Sequence, residues 1–187
     1  MAIVNNKHKF IYMHPQKCAG GALSNLLKRE FSDTNLHIEK NHHPNFLDVV
    51  ELTNQPLEKY FKFGVTRNTY DRVVSMYFHA KKHNNYTQDF DNFVLRSLNS
   101  WFGMHDKFTY QNEYMMDYII RFEHFDEDVK SVMNKLGVYD FELEYITHNT
   151  RRPTSDYCSY YNEHTKNRVY NLFKWEINKY NYKFGEK

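Results

Sequence analysis

Between the apolar run Phe10-Ile11-Tyr12-Met13 and an amphipathic stretch from about Gly21 lies His14-Pro15-Gln16-Lys17-Cys18-Ala19-Gly20-Gly21-Ala22-Leu23. A strand, a glycine-bearing turn with a lysine and a helix start, in that order, commit the chain to an α/β unit. They also build a place for a phosphate-like anion. The first backbone N–H groups of a helix lack partners within it, and the helix dipole favours negative charge at that end. Gly20 and Gly21 allow a tight turn and close approach to a ligand, and Lys17 adds a full positive charge. The lysine precedes the glycines, so the nucleotide-binding pattern GxxxxGK[ST] is absent.

A second candidate anion site follows the next apolar run, Tyr60-Phe61-Lys62-Phe63-Gly64-Val65, as Thr66-Arg67-Asn68-Thr69-Tyr70-Asp71-Arg72-Val73-Val74-Ser75. Arg67, at a strand end, can meet a phosphate with paired N–H donors. Ser75 stands eight residues on, inside the following helix. Asp71 reads as a helix-start carboxylate and Arg72 as a salt-bridged surface or interdomain arginine. Two such sites suit a ligand with two separated anionic groups.

The rest of the chain alternates in kind. Ala22, Leu23, Leu26, Leu27 and Phe31 predict a helix from Gly21 to about Phe31, Leu36-His37-Ile38 a short strand, and Phe46 to Leu52 a brief helix. Lys62 to Thr66 predicts a strand, and Tyr70 to about Lys82 and Phe90 to Leu98 predict helices. Asp117 to Phe122 is the next strand and Asp126 to Leu136 a helix ended by Gly137. A last helix is predicted from Glu163 to Tyr180. This alternation predicts a single α/β domain over 1–187, three layers with a central parallel sheet flanked by helices. Both anion-binding turns then fall at its C-terminal edge.

With 187 residues and a formal charge of +2, the chain has no charge excess of the kind a general nucleic-acid binder carries. No apolar run approaches the ~20 residues of a membrane span, and Met1 to Lys7 lacks a secretory stretch. Cys18 and Cys158 lie far apart, outside any finger spacing, which favours a reducing cytoplasm. No His/Asp/Glu spacing supports a preformed metal site. Oligomeric state is left open.

Taken together, these segments resemble the sulfotransferase family that uses 3′-phosphoadenosine 5′-phosphosulfate (PAPS). The family signature HIPKTAGTSL is similar to His14 through Leu23, and VRNPYDRLVSAY to Thr66 through Tyr77. Arg121-Phe122-Glu123 is similar to its RFE segment. Arg152-Pro153, Tyr157 to Tyr161 and the long last helix resemble its usual ending, closest to the compact carbohydrate-type branch. The resemblance implies a P-loop-like fold without metal and a hydroxyl-bearing acceptor, a glycan or small molecule. Lys17 and the amides of Cys18, Ala19, Gly20, Gly21 and Ala22 would hold the 5′-phosphosulfate. Arg67 and Ser75 would hold the 3′-phosphate, with Arg151 and Arg152 closing a late loop over it. Gln16 stands where the family has proline, Gly21 and Ala22 lack its hydroxyls, and Thr69 replaces a helix-start proline.

Sulfuryl transfer by analogy with loose phosphoryl transfer needs alignment, stabilisation of the departing phosphate and a base for the acceptor hydroxyl. Lys17 suits the second task. His43 opens a stretch, His43 to Val49, that resembles a KHATAREL-like segment of bacterial members, and is the first candidate base. His42 is the second, and Asp48 and Glu123 stand in reserve. Two other readings compete: a non-catalytic binder of the nucleotide or interaction protein on the same fold, and an unrelated P-loop kinase.

Overall fold

The computed structural model describes residues 1–32, 44–144 and 152–186, with only the backbone of 36–39. In chain order the elements are β1 (Ala2–Asn5), β2 (Phe10–Met13), α1 (Gly20–Glu30), β3 (Leu36–Glu39), α2 (Phe46–Val50), β4 (Phe61–Thr66) and α3 (Thr69–His83). Then follow α4 (Phe90–Asn92), α5 (His105–Phe108), β5 (Thr109–Tyr110), β6 (Glu113–Tyr114), β7 (Tyr118–Arg121), α6 (Phe125–Lys135) and α7 (Glu163–Lys179). They group into two compact units, Met1–Thr66 with Asp106–Ile146, and Arg67–His105 with Thr147–Lys187.

The first unit carries a sheet in the order β3-β1-β2-β4-β7. β2, β4 and β7 are parallel neighbours, whereas β1 pairs antiparallel with both β2 and β3. The expected parallel sheet is therefore mostly parallel, with β1 opposed to the rest. The cause lies in the first residues, which carry a strand that the sequence reading passed over. Asn5 Oδ1 accepts hydrogen bonds from the amides of Lys7 (3.0 Å) and His8 (2.8 Å), and Lys9 adopts φ +53°. Such a tight turn can join antiparallel strands, while parallel neighbours need a long crossover.

Because β2 and β4 run parallel, their ends at Met13 and Thr66 lie at one edge of this sheet. The fully buried Phe10, Tyr12 and Phe63 pack along it, with Tyr12 stacked on Phe63 at 5.3 Å. Helix α1 buries Leu23, Leu26 and Leu27, each leucine contributing about 1.5–3 kcal/mol by leaving water. Helix α6 packs on β7 and buries Val129, Val132 and Met133. Gly137 follows it at φ +83°, the left-handed stop read from the sequence. A small hairpin joins β5 and β6 through Gln111 and Asn112, both at positive φ as a two-residue turn requires.

The second unit is helical. The predicted Tyr70–Lys82 helix is α3, which packs against α7. Tyr70, Val73, Val74 and Tyr77 are buried as predicted, but so are Arg72, Ser75 and Met76, so little of this helix faces water. The predicted helix over 90–98 is the single turn α4 followed by a wider π-helical turn, Phe93–Ser97. Residues 157–160 form a 3-10 turn. Helix α7 starts at Asn162, whose side chain accepts from the Thr165 amide at 2.9 Å, and kinks at Phe173.

Candidate functional site

The turn after β2 carries two unusual backbone positions. Lys17 and Ala19 sit in the left-handed region at φ +62° and +57°, flanking Cys18. That conformation costs an L-residue roughly 1–2 kcal/mol. Left-handed positions are one ingredient of the backbone nests that receive anions. Helix α1 then begins with no side-chain cap from Ala19 and no acidic residue in its first turn. Among the described residues, that first turn itself supplies none of the negative charge its dipole favours. Lys17 is half-buried, Cys18, Gly20 and Ala22 are buried, Gly21 is half-buried and Ala19 is exposed. The sequence reading thus named the residues of this turn, while the strained pair of left-handed positions had no local signal.

Gly20 is required here for space. A Cβ at this position would stand 2.2 Å from His14 Cδ2 and 2.5 Å from the Tyr12 hydroxyl oxygen. The Gly20 carbonyl accepts from Ser24 Oγ at 2.7 Å and from the buried Tyr12 hydroxyl at 3.2 Å. Burial pushes the Tyr12 hydroxyl well up from its ordinary value, so it stays a neutral donor and anchors the first turn of α1. The sequence places Tyr12 in an apolar strand and gives Ser24 no distinguishing signal. Gly20→Ala is expected to destabilise the protein by about 1–3 kcal/mol, the usual overpacking range, read as a lowered urea midpoint. An unchanged midpoint would show that the turn relaxes freely.

The second site lies at the start of α3. Asn68 caps the helix, its side chain accepting from the Tyr70 amide at 3.1 Å. Arg67 is buried, and its Nε and Nη2 both meet Asp71 Oδ2, at 2.7 and 2.5 Å. Arg152 Nη1 meets the other oxygen of the same carboxylate, Oδ1. Asp71 is thus a helix-start carboxylate, as expected, and also the bridge between two arginines. Ser75 is buried one turn further along α3.

Arg72 is not a surface or interdomain residue. It is wholly buried, with Nη2 2.5 Å from Glu176 Oε1, Nη1 donating to the Phe102 carbonyl at 2.8 Å, and its guanidinium over the Phe173 ring. Glu176 also accepts from Thr69 Oγ1 at 2.9 Å and the Met104 amide at 2.8 Å. The threonine at the family's proline position therefore supplies a hydroxyl that proline lacks.

The other predicted residues divide. His42, His43 and Arg151 lie outside the described residues. Asp48 is engaged in capping α2, accepting from the Asn45 amide at 2.8 Å, which suits a cap better than a base. Glu123 lies in the 3-10 turn after β7. Tyr157 and Tyr161 pack against Phe184, and burial pushes Tyr157 up to about 12 and Tyr161 well above the ordinary range. Neither cysteine is in a disulfide. Among the described residues no helix is long and apolar enough to cross a membrane, and no three His, Cys, Asp or Glu side chains gather as a metal site.

A mostly parallel sheet whose strand β2 leads through a lysine-bearing turn into α1 defines an α/β protein. The chain belongs to the sulfotransferase family, whose profile matches residues 1–183. Searches of curated proteins and of solved structures returned no match.

Proposed function

We propose that this protein is a PAPS-dependent sulfotransferase of the compact carbohydrate-type branch, with a P-loop-like, three-layer domain over 1–187 acting in the cytoplasm on a hydroxyl of a glycan or small molecule. Sulfuryl transfer as a class follows from family membership. The observation that carries the donor assignment is the turn 14–22, where Lys17 and two left-handed positions precede an uncapped helix start.

PAPS would supply a sulfuryl group already activated by a phosphate leaving group. Its two anionic ends call for the donor chemistry of an ammonium with backbone amides and of guanidiniums with a hydroxyl. Lys17 and the amides of Cys18 to Ala22 bind the 5′-phosphosulfate end. Lys17 also lays its charge against the oxygen on which negative charge develops. Arg67, Ser75, Arg151 and Arg152 bind the 3′-phosphate. His43, or His42 beside it, takes the proton of the acceptor hydroxyl.

Adenosine 3′,5′-bisphosphate tests this directly. A ligand held only by the folded state stabilises it by about 2.7 kcal/mol at a hundredfold excess over Kd. We expect a clear rise in melting temperature with this nucleotide and little with ATP. Arg67→Ala should remove most of that rise. No rise with the bisphosphate, or an equal one with ATP, would defeat the donor assignment. Gly21 and Ala22 lack the hydroxyls of the family signature, which favours the non-catalytic binder as the second reading. Nucleotide binding without transfer of labelled sulfate to any member of a glycan panel would establish it.

A further inference from the structure

The two arginines of the second unit do not stand as independent cations. Arg67 turns one edge of its planar guanidinium, Nε and Nη2, onto Asp71 Oδ2. Arg152 stands 81 residues along the chain from Asp71 and places Nη1 on Oδ1. The three side chains are only 11%, 16% and 15% exposed, in the order Arg67, Asp71, Arg152. Two guanidiniums brought this close and this far from water repel strongly without a counter-charge. The counter-charge sits on the first turn of α3, four residues after Arg67 and on a short side chain with few rotamers.

We propose that Asp71 is a positioning residue: its carboxylate holds the Arg67 and Arg152 guanidiniums together so that both meet a single terminal phosphate. This rests on the reading that a 3′-phosphate binds at Arg67. A planar guanidinium whose Nε–Nη2 edge faces a carboxylate directs its opposite edge away from it. Asp71 therefore fixes the plane of the Arg67 guanidinium. The rotamer entropy of two long side chains is lost on folding rather than on binding, which tightens the complex.

A pin that merely staples the Arg152 segment to α3 would show the same ion pairs, and so would a carboxylate that competes with the ligand. Binding selectivity separates the three. Dissociation constants of the full chain for adenosine 3′,5′-bisphosphate and for 5′-AMP, which lacks the 3′-phosphate, are measured by titration calorimetry. Wild type is compared with Asp71→Asn and Asp71→Glu. Asp71→Asn is expected to weaken the bisphosphate by about tenfold or more, the scale of a charged hydrogen bond, while 5′-AMP shifts by less than about twofold.

Asp71→Glu keeps the charge but moves the carboxylate by one methylene, and should also lower the preference. If the asparagine variant fails to fold, the glutamate variant decides alone, and an unaltered preference there overturns the proposal. Equal weakening of both nucleotides would make Asp71 a structural pin, and tighter bisphosphate binding would make it a competitor; either result overturns positioning. A wild-type protein with no preference for the bisphosphate would instead remove the 3′-phosphate assignment itself, and this proposal with it.

Discussion

Glu176→Ala is expected to destabilise the protein by about 3–5 kcal/mol, the range for breaking one side of a buried ion pair. The loss strands three donors at once. Arg72 keeps a charge in a fully buried position, and the Thr69 hydroxyl and Met104 amide lose their acceptor. Removing a partner costs more than the intact bond contributes, because the remaining group stays desolvated. The effect is readable as a lowered denaturant midpoint or as insoluble expression. Arg72→Met should lose less alone, since the Glu176 carboxylate keeps the Thr69 hydroxyl and the Met104 amide as donors. Combining Arg72→Met with Glu176→Ala should cost less than the two single losses added, because the double variant buries no unpaired charge. Strict additivity would show that the pair is not coupled.

Lys17→Ala is expected to lower kcat for sulfuryl transfer by about 10²–10³-fold, the cost of removing one donor aimed at developing charge. The fold should survive, since a half-buried side chain is shortened and the position exchanges one L-residue for another at φ +62°. Lys17→Gly sharpens the test. Glycine adopts that backbone without the steric penalty, so this variant should be stabilised by about 1 kcal/mol while losing transfer to the same degree. A protein more stable than wild type and yet inactive separates the chemical role of the ammonium from folding. Transfer within tenfold of wild type in both variants would remove Lys17 from the chemistry.

The legible parts were those whose causes are local. The strand at Phe10–Met13, the turn with its lysine and glycines, the helical stretch of α3 and the stop at Gly137 each depend on residues within a few positions of one another. So did the motif pair that suggested the family. Even here a short signal was overlooked: Asn5-Asn6-Lys7 between two apolar runs is the mark of a hairpin, and missing it concealed β1. The π-helical turn at Phe93–Ser97 departs from the helical spacing of its apolar residues, which marks burial more surely than it marks hydrogen-bond register.

The chain's own order of residues determined the local pieces: a strand end, a lysine-bearing turn and a helix start are set by neighbours. Tertiary structure alone decided how the charges are disposed. Arg72 looked like a surface arginine until α7 brought Glu176 to it from 104 residues away. Arg67 looked like a lone phosphate donor until Arg152 joined it on Asp71. The physical reason is range. Periodicity and capping act over a turn or two, whereas a charge becomes buried, paired or poised only through whichever distant segment packs against it.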